Sequence, residues 1–136
     1  MAHMHILVAD DDEDMLALVT RALRADGHEV SEAHDGEDLL AQLDRALDDP
    51  LARPDVVVAD VMMPRLSGLG VLEALKRARL HFPVVLMTVL ADSSVWIVAR
   101  RLGAVGVLKK PFDLDDLRTA VANATLAYEK SPMSRS

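Results

Sequence analysis

The tightest constraint on this chain is a change of period that recurs along its length. Short apolar runs alternate with stretches whose apolar residues return at helical spacing, and the alternation occurs five times. The runs lie at residues 5–9, 56–59, 82–88 ("FPVVLMT") and 105–108, with a more polar one at 29–33. Helical patterns fill 12–25, 36–47, 69–79, 93–102 and a last stretch opened by Asp113. A strand covered on both faces reads as a continuous apolar run, not as an in–out alternation. Strands alternating with helices of about 10–14 residues predict βαβ units and a parallel sheet with helices on both faces. The expected fold is a three-layer α/β/α domain of five strands and five helices. The polar run at 29–33 belongs near an edge.

The punctuation agrees. Gly27 and Gly103 stand where helices should stop, and Asp35, Asp92 or Ser93, and Asp113 where they should be capped. Expected inner stripes include Leu39, Leu40, Leu43, Ala46 and Leu47 on the second helix, and Leu117, Ala120, Val121, Ala124 and Tyr128 on the fifth. "DDPLARPD" reads as a polar, Pro-punctuated loop.

A chain of 136 residues is most simply one domain and can bury a core without staples. No apolar run approaches the roughly 20 residues of a membrane helix, and the first apolar segment is too short for a signal peptide. With no Cys, a cytoplasmic address is expected. A net charge of −7 argues against direct binding of nucleic acid through phosphates. Met1-Ala2-His3-Met4 reads as a cloning remnant, 5–128 as the domain and 129–136 as a flexible tail.

The polar residues that carry chemistry share an address. Asp10 and Asp11 follow strand one, Asp60 follows strand three, Thr88 ends strand four and Lys110 follows strand five. These are carboxyl ends, and in an open parallel sheet ligands bind at that edge, where strand order reverses. If the order is 2-1-3-4-5, Asp10, Asp11 and Asp60 share one crevice. Two carboxylates ~4 Å apart repel by about 4 kcal/mol at an effective dielectric of ~20. Such a cluster needs a cation or must take up protons. Few carboxylates with retained water suit Mg²⁺. With Lys110 and the Thr88 hydroxyl, the site is shaped for a phosphoryl group, and one Asp could attack phosphorus.

The pieces "LVADD", "DVMMPRLSG", "MT" after an apolar strand and "KPF" occur in this order. Together they resemble the receiver domains of two-component response regulators, across about residues 6–128. The resemblance implies a flavodoxin-like sheet of order 2-1-3-4-5. It implies that Asp60 is the phosphoacceptor, taking its group from a sensor histidine kinase or a phosphotransfer protein. Asp11 would bind Mg²⁺ directly and Asp10 through water, with the backbone carbonyl of Met62 as a further ligand. Lys110 would pair with phosphoryl oxygens, across a cis Lys110–Pro111 bond. Thr88 would couple the site to the face of the fourth helix, fifth strand and fifth helix, used for a partner or for homodimerisation. Such a domain is a signalling phosphoacceptor, with only self-catalysed phosphotransfer and dephosphorylation.

The chain departs from the family pattern in places. Val107 stands where an aromatic residue usually follows the threonine's movement. Val89 replaces a small residue, and with Met62 and Leu90 it makes the phosphate's approach apolar, which predicts slow attack by water. In the fourth helix Val95, Trp96, Ile97, Val98 and Ala99 form too wide a stripe for one buried face. Trp96 and Val98 are therefore candidates for a partner surface, with a core position for Trp96 equally open.

Other readings fit less well. "DDDED" begins like a calcium loop, but Met15 and Arg21 stand where that loop wants Gly and Glu. It also resembles the D-x-D of haloacid-dehalogenase-like phosphatases, in a chain short for that fold and its cap. A pseudo-receiver, an interaction module not switched by phosphorylation, is the main alternative. Asp12, Glu13 and Asp14 also suit a helix N-terminus through its dipole.

Overall fold

The structure is a computed structural model and describes residues 3–90 and 92–129, with side chains through residue 126. Five strands form one parallel sheet: β1 (His5–Ala9), β2 (Glu29–Ala33), β3 (Val56–Asp60), β4 (Val84–Thr88) and β5 (Gly106–Lys109). Their order is β2-β1-β3-β4-β5, with the polar β2 at an edge as its composition requires. The helices are α1 (Glu13–Ala25), α2 (Gly36–Ala46), α3 (Gly68–Arg77), α4 (Ser93–Arg101) and α5 (Leu114–Glu129). A 3₁₀ turn at Pro50–Ala52 interrupts the "DDPLARPD" loop.

Successive strand residues point to opposite faces, so the sheet divides its apolar residues between two cores. Leu7, Ala9, Val57, Ala59, Val84 and Leu86 face α2, α3 and α4. Ile6, Val8, Val56, Val58, Val85 and Met87 face α1 and α5, meeting Leu16, Val19, Leu23, Leu117 and Val121. Both faces are buried, which is why these strands are apolar throughout.

Carboxylates set the helix starts. Asp12, Asp35 and Asp92 each accept backbone N–H bonds as N-caps of α1, α2 and α4, and Ser67 caps α3.

Several expectations need correction. Leu47 is the C-cap of α2 and 41% exposed, because the helix ends one residue earlier and turns it off the inner stripe. Helix α3 begins at Gly68 and ends at Arg77, leaving Arg79 in a left-handed conformation. Phe82 and Pro83 precede β4, and Val105 precedes β5, although Phe82 is still buried. Helix α5 includes Glu129, placed in the tail by the sequence. Met4, set aside with the remnant, packs against the α1–α5 core and accepts the Glu29 N–H at 2.9 Å. Met1, Ala2, residues 130–136 and the Tyr128 side chain lie outside the described residues.

Candidate functional site

Register builds the site. Ala9 pairs with Ala59, so the next residues, Asp10 and Asp60, emerge side by side at the carboxyl edge. One carboxylate oxygen each from Asp10, Asp11 and Asp60 lies within 4.8 Å of the others. Asp10 is fully buried and Asp60 nearly so at 7%, while Asp11 is exposed.

Lys110 reaches over this cluster from the end of β5. Its Nζ donates to Asp10 Oδ2 at 3.0 Å and to Asp60 Oδ2 at 2.6 Å. The other oxygens are held by the backbone. Asp12 N–H donates to Asp10 Oδ1 and Met62 N–H to Asp60 Oδ1, both at 2.9 Å. The Lys110–Pro111 bond is cis, and the Lys110 N–H donates to the Thr88 carbonyl at 2.7 Å.

The electrostatics follow from burial. Desolvation, helped by the neighbouring Asp60 charge, pushes the Asp10 carboxyl above its ordinary range against the pull of the Asp12 amide and Lys110. Burial pulls Lys110 the other way, but its hydrogen bonds to Asp60 and Asp10 and their negative charges together outweigh it, and its ammonium is held more firmly than usual. Three carboxylates against one ammonium leave an excess of negative charge. The donor set is hard oxygen, partly buried, with Asp11 open to water. That fits a Mg²⁺ ion that keeps part of its hydration shell.

Thr88 is fully buried at the end of β4. Its Oγ1 accepts the Leu90 N–H at 2.9 Å, so the hydroxyl is engaged by its own loop. Val107 is half-buried and packs on the α2–α4 core. Met62, Val89 and Leu90 are 58%, 61% and 49% exposed. All three side chains are open to solvent. In α4 only Ala99 is buried. Trp96, Ile97 and Val98 are exposed, and Arg100 lies over the Trp96 ring at 5.7 Å. A core position for Trp96 is thereby excluded.

Sequence reasoning missed the loop joining β3 to α3. Arg65 there has φ 70° and reaches Asp35 and Glu37 at 3.9 and 3.8 Å. Neither helical spacing nor a motif marks those contacts, since they join residues far apart in the chain.

Fold and crevice together define a flavodoxin-like domain with a lysine-bridged acidic site at its switch point. The chain belongs to the response regulator receiver domain family, whose profile matches residues 6–122. It is 39% identical over 114 residues to the response regulator MprA of Mycobacterium avium, covering 84% of this chain and 47% of that protein. It is 32% identical over 116 residues to the alkaline phosphatase synthesis transcriptional regulatory protein PhoP of Bacillus subtilis, covering 85% and 46%. The chain thus spans about half the length of these curated relatives. Among solved structures, the chemotaxis protein CheY4 of Vibrio cholerae superposes with a TM-score of 0.79 at 27% identity, covering 90% of this chain and 99% of that one. No helix among the described residues is long and apolar enough to cross a membrane.

Proposed function

We propose that this receiver domain accepts a phosphoryl group on Asp60 from a phosphohistidine, and that the modification alters its α4–β5–α5 face. The observation that carries this reading is the convergence of Asp10, Asp11, Asp60 and Lys110 within hydrogen-bonding reach of one point.

An Asp60 carboxylate oxygen attacks phosphorus. The bond to the donor's ring nitrogen breaks, and its electron pair leaves with the imidazole. Met62 N–H fixes the orientation of the Asp60 carboxylate through Oδ1. Lys110, already on Oδ2, supplies positive charge where phosphoryl oxygens arrive. Asp10, Asp11, Asp60 and the Met62 carbonyl would hold Mg²⁺. When bound, the ion neutralises charge on the transferring group.

Phosphorylation adds about −1.5 to −2 charges and strong acceptors beside Thr88. The Thr88 O–H would then turn from the Leu90 carbonyl, to which it donates at 3.5 Å, to donate to the phosphoryl group. That movement pulls on the loop leading to α4, the helix with least buried surface. Val107 offers no ring to follow it, so the readout falls to the loop and α4, and the exposed Trp96 and Val98 are the surface for a partner or a second copy. The apolar rim of Met62, Val89 and Leu90 would slow attack by water and lengthen the phosphorylated state.

The test is incubation with Mg²⁺ and acetyl phosphate, followed by intact mass. One phosphoryl group on the unaltered protein and none on Asp60→Asn supports the reading. No adduct despite measurable Mg²⁺ binding refutes it in favour of an interaction module working through the Trp96 face.

A further inference from the structure

We propose that Gly36 is a positioning residue for the Asp60 site, acting as the seat on which the β3–α3 loop rests. The inference rests on the reading of Asp60 as a Mg²⁺-dependent phosphoacceptor.

The loop, residues 61–67, begins at the Met62 amide that orients Asp60 Oδ1 and ends at Ser67, the cap of α3. At its centre Arg65 sits at φ 70°, which a bulky L-residue holds only where its surroundings impose it. Those surroundings are the first turn of α2. A Cβ on Gly36 would stand 1.8 Å from the Leu66 carbonyl oxygen and 2.6 Å from its carbon. Only a hydrogen fits there. Arg65 meanwhile reaches the residues on both sides of Gly36, Asp35 at 3.9 Å and Glu37 at 3.8 Å.

A larger residue at position 36 must move one partner. Helix α2 is fixed by the fully buried Leu39 and Leu43, and its start is tied by the Asp35 cap, which accepts the Asp38 N–H at 2.7 Å. The loop is held at Val61 and Met63, which are buried, but Met62, Pro64 and Arg65 are exposed, and Leu66, whose carbonyl meets Gly36, is only partly buried. The loop therefore yields, carrying with it the amide that aims Asp60. Local propensity predicts the opposite outcome, since Ala is a far better helix former than Gly and position 36 is helical.

The test compares Gly36→Ala with Gly70→Ala. A Cβ on Gly70 comes under 3 Å only to the Leu66 Cδ1 methyl, the end of a side chain and not backbone. Mg²⁺ affinity is read by calorimetry, and the amides of residues 61–67 by hydrogen exchange in EDTA. Gly36→Ala should bind Mg²⁺ about tenfold more weakly and exchange faster across the loop, while Gly70→Ala stays within about twofold of the unaltered protein. Wild-type affinity together with wild-type loop exchange in Gly36→Ala would overturn the proposal. Should that variant not fold, Arg65→Gly removes both ion pairs without touching the core. It should bind Mg²⁺ about twofold more weakly with faster loop exchange, and no change in either overturns the seat. If the unaltered protein binds no Mg²⁺, the reading of the site fails, and loop exchange alone then decides on the seat.

Discussion

Asp11 carries the cleanest quantitative prediction, because it contributes charge to the cluster and little else. It is exposed, and among the described residues it makes no hydrogen bond or ion pair through its side chain. Its carboxylate lies within 4.8 Å of both Asp10 and Asp60. Each like-charge pair at that distance repels by about 1 kcal/mol in bulk water and about 3.5 kcal/mol at an effective dielectric of ~20. Lys110 cancels roughly one of the two neighbouring charges, so Asp11 faces a net repulsion of about one pair. Its exposure places that value near the lower figure. The N-terminal dipole of α1 returns a few tenths of a kcal/mol. Asp11→Asn should therefore stabilise the metal-free protein by about 1 kcal/mol, or about 3–4 °C in melting temperature for a domain of this size. With Mg²⁺ the order should reverse. At about 100 Kd the ion adds about 2.7 kcal/mol to the unaltered protein, and the variant, short of one ligand, should gain much less. Thermal melts in EDTA and in Mg²⁺ read both arms. A variant no more stable than the unaltered protein in EDTA would refute the account of the cluster as uncompensated negative charge.

Three further outcomes follow from the geometry. The Asp92 carboxylate, hydrogen-bonded by the Ser94 hydroxyl and by the Val95 and Ser94 amides, is held below its ordinary value of 3.8, so its support for α4 is present above that pH and is lost as pH falls below it. Fluorescence of Trp96, the one tryptophan and in the first turn of α4, should report that loss below pH 3.8 in the unaltered protein, and a titration of the same shape in Asp92→Asn would count against it. Leu43→Ala empties a fully buried position between α2 and the sheet and should cost about 2–5 kcal/mol by urea unfolding, with Mg²⁺ affinity within twofold of normal. Leu90→Glu should shorten the lifetime of the phosphorylated state severalfold, and an unchanged decay of the mass adduct would remove the apolar rim from the explanation.

The strands were legible because both faces of the sheet are covered, which makes Val56, Val57 and Val58 apolar without interruption. The acidic edge was legible for a related reason. A charged residue directly after such a run, as with Asp10 after Ala9 or Asp60 after Ala59, has nowhere to sit except the sheet's end. Sequence alone could not show how those residues would satisfy one another. That Lys110 would bridge Asp10 and Asp60, or that the Thr88 hydroxyl would be occupied by the Leu90 amide, depends on distances set by register and loop path. Leu47 misled because helical spacing marks a face but not the turn at which the helix stops. Gly36 reads in sequence as an indifferent helix start, and only the loop laid against it gives it a role.

The Lys110 bridge has a consequence for how the domain would meet a cation. A site that carries its own counter-ion is not waiting for metal in order to fold, since the two buried carboxylates are already neutralised in part by a group tethered to the same chain. A Mg²⁺ ion held by these residues, as proposed, would add its charge to one already tethered at Lys110, so its affinity would report competition between a fixed charge and a mobile one. Under the proposed function, a phosphoryl group on Asp60 would give the lysine and the metal a common partner and turn two rivals into collaborators.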